Sequence, residues 1–264
     1  RRALGTLLAL LAILLVGIVL SLAVGRYYIP VRDIGKAFLG GEVSDKIAQV
    51  LFVVRLPRVL AAVLIGGAMS LSGAAYQGMF KNPLVSPDIL GSSAGAGFGA
   101  AVGILLSFSV AGVKTSSFVC GILAVSLTWF ISQRFGKGSD NLFLLILGGI
   151  IVSNLFQSLI SLVKYAADPT DKLPAITFWL MGSLSKATMQ DVKIMLVPFA
   201  VCTGILIFCS GQLNILALGD EEAKTLGVNT VLLQGFVIVT ATVLTAFSVS
   251  FCGMIGWVGL VVPH

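Results

Sequence analysis

The chain has 264 residues, of which 57% are hydrophobic and 11% are charged, and its mean hydropathy is +1.05. Soluble domains carry about a quarter charged residues, so this composition excludes an ordinary soluble protein and predicts a polytopic helical membrane protein. The formal net charge of +6 indicates basic loops between apolar runs, not a nucleic-acid-binding surface. The four cysteines lie within apolar runs without CxxC spacing, which predicts neither a disulfide framework nor a metal site.

The first apolar run covers residues 4–24 and predicts a transmembrane helix, since it is longer than the core of a secretory signal. Residues 26–58 follow as a loop of mixed charge. Within this loop, residues 31–39 and 44–54 predict two short surface helices.

Two uncharged runs, residues 59–80 and 89–113, are each long enough to cross a hydrocarbon core of about 30 Å. The turn between them, residues 81–88, holds Pro83 and Pro87, which end helices by removing donors and restricting the preceding residue. The two runs therefore predict a tight helical hairpin.

Small residues recur at every fourth position of both runs, so each set falls on one helix face. They are Gly66, Ser70, Ala74 and Gly78 on the first run, and Gly91, Gly95, Gly99 and Gly103 on the second. Small faces let helix backbones approach closely in lipid. The spacing predicts close helix packing and says nothing of function.

Further crossings are predicted after the hairpin, which makes seven full helices and the start of an eighth. They cover residues 115–133, 141–163, 194–210 and 231–249, and the eighth begins at Gly253. The fold class is therefore an all-α, polytopic transmembrane bundle. A second long loop, residues 164–193, contains an uncharged stretch at 173–185 that is too short to span.

The run at residues 141–163 carries polar residues on one face of an otherwise apolar helix. Gly149, Ser153, Gln157 and Ser161 recur every four residues, with Asn154 and Ser158 beside them. Such a face turns either toward a water-filled path or toward neighbouring helices. The residues alone leave both open.

No GxxxxGK[ST] motif occurs, so the chain has no P-loop to hold ATP phosphates.

The sequence Gly91-Ser92-Ser93-Ala94-Gly95 fits GxSxG, the pattern of a serine nucleophile, and His264 is the single histidine. An intramembrane serine protease is therefore one alternative function. An ion-coupled secondary transporter is another, although no apolar run contains the carboxylate that such proteins use as a relay.

Three separated motifs resemble the permease subunits of type II ABC importers, which take up iron–siderophore complexes, haem and cobalamin. They are RLPR followed by GGAMSLSGAAYQGMFKNPLVSPDILGSSAGAG, then LNILALGDEEAKTLGVN, and finally GMIGWVGLVVPH. Their order matches that family along nearly the whole chain. The resemblance implies about ten helices in the full-length protein, a single permease domain over residues 1–264, and further C-terminal helices beyond His264.

The resemblance also implies roles for particular residues. Residues 211–229 would be the cytoplasmic coupling segment, in which Asp220, Glu221, Glu222, Ala223, Lys224, Leu226 and Gly227 contact the ATPase. Arg55 and Arg58 would receive carboxylates of a binding protein, because the guanidinium fork suits bidentate contacts. The polar face of residues 141–163 would line the translocation path, and residues 177–182 would form a short helix at its outer mouth.

The implied partners are a second copy of the chain, two cytoplasmic ATP-binding subunits that hold ATP and Mg, and an extracytoplasmic binding protein. The chain itself would hold no cofactor and no metal. Its expected location is the bacterial or archaeal cytoplasmic membrane. Iron–siderophore is the first expectation for the cargo, and haem, cobalamin and molybdate remain open. Lys186 and Lys193 near the outer mouth favour an anionic cargo.

Charge counting and the resemblance disagree about orientation. With Arg1 and Arg2 in the cytoplasm and one crossing per run, the inner loops hold six of the seventeen basic residues and the outer loops hold eleven. This is opposite to the positive-inside rule. The resemblance places residues 211–229 in the cytoplasm, and a basic outer surface suits the acidic residues of a docking protein. We therefore expect the orientation that the family implies.

Overall fold

The computed structural model describes residues 2–135, 141–216 and 218–264, and no strand occurs among them. The α-helices, in chain order, are α1 (Arg2–Ala23), α2 (Val31–Phe38), α3 (Asp45–Ala48), α4 (Leu56–Phe80), α5 (Ser92–Leu105), α6 (Val110–Phe135), α7 (Asn141–Ala166), α8 (Lys172–Leu180), α9 (Met189–Leu216), α10 (Asp220–Thr225), α11 (Thr230–Cys252) and α12 (Val258–Val261). A π-helical stretch covers Gln49–Arg55 and a 3₁₀ turn covers Pro87–Leu90. The all-α fold class is confirmed.

Six of the described helices are long and apolar enough to cross a membrane, which is one fewer than the sequence predicts. The run 89–113 is not one crossing, because α5 ends at Leu105 and α6 begins at Val110. With 14 residues, α5 is about 21 Å long, shorter than a hydrocarbon core. A turn with Ser107 at φ +57° separates the two helices, and the hydroxyl of Ser109 accepts from the Gly112 amide at 3.2 Å.

Two other boundaries differ from the prediction. Residues 44–54 are not a separate surface helix, because α3 continues through the π-helical stretch into α4 as one 36-residue helical segment, Asp45–Phe80. The eighth helix does not begin at Gly253 either. Gly253 and Trp257 have positive φ values of +76° and +72°, so the chain leaves the helical path until α12 begins.

The chain divides into two compact units. The first contains Arg1–Val63 with Ser185–Lys193, and the second contains Leu64–Leu184 with Ile194–His264. The core of the first unit is formed by Leu22, Ile29, Ile34 and Leu51, which join the end of α1 to α2 and to the π-helical stretch.

The start of α9 is capped by Thr188 and Asp191. The Asp191 carboxylate accepts from the Thr188 amide at 3.0 Å, and the Thr188 hydroxyl accepts from the Asp191 amide at 3.2 Å.

The second unit is built around α11. In its most apolar window 67% of the residues are buried, against 11% to 28% in the other candidate spans, so α11 is the central helix of this unit. It packs against α5 and α6. On α4, the Ser72 hydroxyl donates to the Ala241 carbonyl at 3.2 Å, and the Tyr76 hydroxyl lies 3.2 Å from that of Thr242. These bonds fix α4 to α11 inside an apolar core.

Candidate functional site

The predicted coupling segment contains a short helix, α10, between α9 and α11. Gly227 follows its end with φ +81° and donates its amide to the Lys224 carbonyl at 3.0 Å. The Val228 amide donates to the Ala223 carbonyl, also at 3.0 Å. This pair of bonds is a Schellman motif, in which the left-handed residue is favoured as glycine because it has no Cβ. The stop predicted at Gly227 is confirmed.

One face of α10 is anchored and the other is exposed. Ala223 is fully buried in the cluster that includes Leu216 and Leu233, whereas Glu221, Glu222, Lys224 and Leu226 are exposed. Lys224 Nζ lies 3.0 Å from Glu221 Oε1, and this exposed ion pair contributes little stability. The side chain of Asp220 lies outside the described residues. The helix therefore presents acidic side chains and one apolar side chain on a surface whose backbone is fixed.

The five residues predicted to line the path on α7 divide into two groups. Gly149 is buried beneath the Ile89 carbonyl, and Ser153 is half-buried beside Gly91, where a Cβ would lie 3.2 Å from its hydroxyl. Asn154, Gln157 and Ser161 are exposed. The first two therefore pack α7 within the chain, and the last three remain available to a path or a partner.

The exposed polar residues of α7 lie among exposed apolar ones, which are Leu147, Ile150, Ile151, Leu155 and Leu162. Ser158 and Ser161 donate to the carbonyls four residues earlier, at 2.9 and 3.1 Å. This leaves Asn154 and Gln157 as the two amide side chains that can offer donors and acceptors outward. No described contact shows what they meet, so their role in the path stays a prediction.

The two arginines predicted to dock a binding protein differ in their surroundings. Arg55 is half-buried and its guanidinium donates to the carbonyls of Leu22 and Tyr27. Arg58, one turn later in the helix, is exposed. The side chain of Arg55 is therefore held by the chain itself, whereas Arg58 is the one available at the surface.

The second stripe of small residues forms the contact between α5 and α6. A Cβ on Gly95 would lie 2.5 Å from the Cys120 carbonyl, and one on Gly99 would overlap the carbonyl of Ser116. A Cβ on Gly103 would lie 3.3 Å from the Cα of Val113. The helices pack backbone to backbone along these three glycines, as the spacing predicts for this run.

For the first stripe, a Cβ on Gly66 or Gly78 meets no described atom of the chain within 4 Å, so close packing at these two positions stays a prediction. Ala74 is exposed, and the hydroxyl of Ser70 bonds its own helix at the Gly66 carbonyl. Within the chain, α4 makes a close approach on the neighbouring face, where a Cβ on Gly73 would overlap the Gly259 carbonyl.

The serine of the GxSxG pattern is placed differently from a catalytic serine. Ser93 lies in the first turn of α5 and donates its hydroxyl to the carboxylate of Asp88 in the preceding 3₁₀ turn. Gly91 stands between them with φ +88°. The pair closes the junction between the 3₁₀ turn and α5, and no described contact joins Ser93 to His264.

Asp168 organises the loop between α7 and α8. Its carboxylate accepts from the Thr170 hydroxyl at 2.6 Å, from the Thr170 amide at 2.7 Å and from the Asp171 amide at 3.1 Å. The hydroxyl of Thr170, followed by these two amides, lowers the pKa of the Asp168 carboxyl below its usual value. Next to this turn, Lys172 donates to the hydroxyl of Ser107 at 2.6 Å, which joins the loop to the turn after α5.

Within the described residues, no group of three His, Cys, Asp or Glu side chains is placed to hold a metal ion, and the four cysteines are free thiols. The structure offers an anchored helix with exposed acidic side chains, a polar stripe on an apolar helix and an exposed arginine at position 58. Sequence reasoning missed the contact of Gly182 with Gly253 and that of Ser93 with Asp88. Nothing in the sequence pairs Gly182 with Gly253, whereas the short SPDILGSS motif contains both Asp88 and Ser93.

The match to known proteins covers almost the entire chain. The model of the FecCD transport family matches residues 13–264. The chain belongs to the FecCD transport family. It is thus a multi-pass permease subunit of an ABC importer, and this membership favours transport over the protease and the ion-coupled transporter.

Individual relatives are 33% to 41% identical to this FecCD chain over the aligned residues. The molybdate import system permease protein MolB of Haemophilus influenzae is 41% identical over 98% of this chain and 77% of its own length. The hemin transport system permease protein HmuU of Yersinia pestis is 35% identical, over 100% of this chain and 78% of its own. The vitamin B12 import system permease protein BtuC of Klebsiella pneumoniae is 33% identical, over 100% and 76%.

A solved structure has the same fold as this FecCD permease. It is described as an inward-facing conformation of a putative metal-chelate type ABC transporter, and it is 38% identical to the chain. The TM-score is 0.87, over 97% of this chain and 79% of that one.

Proposed function

We propose that this permease moves a metal chelate or a metal oxyanion from an extracytoplasmic binding protein across the bacterial or archaeal cytoplasmic membrane. The relatives are named for molybdate, hemin and vitamin B12, which are compounds of metals. Iron–siderophore remains the first expectation of the resemblance, and the molybdate permease, the relative with 41% identity, adds an oxyanion. An anionic cargo also suits the exposed Lys186 and Lys193.

The observation that carries the proposal is the geometry of α10. Glu221 and Glu222 are exposed, while Ala223 anchors the helix in the core of the second unit and the Gly227 motif closes its end. A partner that displaces such a surface also displaces the helices packed behind it, because the contact residues are fixed to those helices. We infer that two ATP-binding subunits, which hold ATP and Mg, bind this surface.

The remaining assignments come from the family resemblance, and the exposure of the residues named is consistent with them. Two copies of the chain face each other across a path in which Asn154, Gln157 and Ser161 offer weak polar contacts. Arg58 receives a carboxylate of the binding protein, which supplies the affinity for the cargo. The path opens alternately to either side as ATP is bound and hydrolysed. Weak contacts along the path let the cargo leave, since uniformly tight binding would trap it.

The test is a pull-down of the full-length chain from membranes, with an ATPase assay of the proteins that copurify. We expect an ATP-binding subunit to copurify, and to be lost in the double variant Glu221→Lys, Glu222→Lys. The matched control is Glu42→Lys, Asp171→Lys, which changes two exposed acids by the same charge outside α10. Loss in both variants, or in neither, would contradict the assignment of α10.

The cargo is tested with the same complex in proteoliposomes. Uptake of molybdate and of a ferric siderophore is measured with and without ATP. We expect ATP-dependent uptake of one of the two. Uptake of neither is followed by the same assay with hemin and cobalamin, and uptake of none of the four, with an active ATPase, would overturn the cargo class but not the assignment of the partners.

A further inference from the structure

The end of α8 and the end of α11 meet through two glycines without an intervening side chain. Gly182 and Gly253 both have positive φ, at +74° and +76°, and the Ser183 amide donates to the Cys252 carbonyl at 2.6 Å. A Cβ on Gly182 would lie 2.7 Å from the Met254 carbonyl, and a Cβ on Gly253 would overlap the Trp179 carbonyl. Neither position accepts a side chain without displacing backbone.

Side chains hold α8 in place around this contact. Ile176 is fully buried in a cluster with Ala101 of α5 and Val163 of α7. Leu180 and Met254 approach Gly97 of α5 together, each 3.2 Å from a Cβ built there. The end of α8, the residues after α11 and the middle of α5 are therefore packed at one point.

At its other end, α11 is joined to α10 by a short and ordered connection. The side chain of Asn229 accepts from the Leu232 amide at 3.1 Å and caps α11, and the Val228 amide bonds the Ala223 carbonyl of α10. With 23 residues, α11 is about 35 Å long. It is thus a buried rod with α10 at one end and the Gly182–Gly253 contact at the other.

We infer that α8 moves as one body with α11, through the backbone contact of Gly182 with Gly253, so that a displacement of α10 reaches α8. The inference rests on the coupling role of α10 under the proposed function. Packed backbone has no rotamers with which to absorb a shift, so a displacement of α11 carries α8 with it. Gly182 and Gly253 are positioning residues in this scheme.

A spectroscopic distance tests the inference. Phe178 on α8 and Phe236 on α11 are 71% and 50% exposed, so a ketone-bearing phenylalanine analogue at each accepts a spin label without touching the native cysteines. Phe236 precedes Gly253 by about 25 Å of helix, which suits pulsed electron paramagnetic resonance. The sample is the full-length chain assembled with its ATP-binding subunits in nanodiscs.

We expect one distance between the labels, unchanged between nucleotide-free and ATP-bound complexes. A change of more than about 2 Å, the scale of helix shifts in switching transitions, would overturn the inference. This comparison needs no substitution at the contact itself. ATP hydrolysis measured on the same samples tests the proposed function separately, because the label distance is read whether or not the complex hydrolyses ATP.

Two alanine variants compare a side chain at the contact with one outside it. Gly253→Ala inserts a Cβ into the Trp179 carbonyl, whereas Gly256→Ala, three residues later, meets no described atom within 4 Å and has no positive φ. We expect the distance distribution to widen about twofold in the first variant, since backbone strain opens the contact, and to stay unchanged in the second. Equal distributions in both variants would show that the contact does not hold α8.

Discussion

The guanidinium of Arg55 donates to the carbonyl of Leu22, one of the last four carbonyls of α1, which lack partners within their own helix. A second bond reaches the Tyr27 carbonyl in the following loop. Arg55 therefore closes the end of α1. This separates its role from that of the exposed Arg58, although the sequence predicts both as docking residues.

Arg55→Ala is expected to lower the free energy of unfolding by about 1–3 kcal/mol, because two backbone carbonyls lose a charged donor. Arg58→Ala is expected to leave stability unchanged and to weaken the binding protein's stimulation of the ATPase. Thermal unfolding in detergent and ATPase rates with the binding protein check the two expectations. A stable Arg55→Ala protein would contradict the assigned role of Arg55.

Gly99→Ala is expected to destabilise the chain by about 1–3 kcal/mol, because its Cβ would overlap the carbonyl of Ser116 on α6. Gly66→Ala is the matched control, since that Cβ meets no described atom. The folded fraction recovered in detergent and the unfolding temperature measure the difference. Equal losses in the two variants would show that the contact of α5 with α6 does not limit stability.

The exposed polar face of α7 gives a prediction about transport. Asn154→Leu combined with Gln157→Leu is expected to reduce uptake while leaving basal ATP hydrolysis and expression unchanged, because the path loses its amide groups. Leu155→Ala, on the same exposed side of α7, serves as the control. Uptake by the double variant at the wild-type rate would remove these residues from the path.

The loop after α7 is expected to respond to acid. The folded state lowers the pKa of Asp168, so the hydrogen bonds of its carboxylate stabilise the fold above the unfolded pKa. This stabilisation is lost as the pH falls through the folded pKa. Thr170→Val removes the hydroxyl donor and is expected to raise the pKa of Asp168. Carbon-13 NMR of labelled aspartate carboxyls measures that shift, and an unchanged titration would contradict it.

The sequence predicted the all-α fold, a helix stop at Gly227, and the close packing of Gly95, Gly99 and Gly103. These features depend on local chemistry, such as uncharged runs, helix caps and small faces. The turn between α5 and α6 was missed because Ser107 and Ser109 build it without a charge or a proline. Helix ends that are located only by charged residues or prolines do not include a turn of this kind.

The contact that α4 makes within the chain was missed for a different reason. Small residues occupy two neighbouring faces of this helix, and spacing cannot tell which face meets a partner. The contact at Gly73 depends on Gly259, far away along the chain. The Gly182–Gly253 contact is likewise non-local, so a single sequence carries no signal that would pair those residues.

The central position of α11 has a consequence for synthesis. Helices α4, α5 and α6 are inserted well before the ribosome reaches Cys252, yet they pack on a helix that is not yet made. At about 5–20 residues per second, the roughly 170 residues between the end of α4 and the end of α11 take on the order of ten to thirty seconds. During that interval the hydroxyls of Ser72 and Tyr76 lack their partners on α11. The hydroxyl of Ser72 can meanwhile bond the Ala68 carbonyl of its own helix at 2.9 Å, whereas that of Tyr76 gains its partner only when α11 is made.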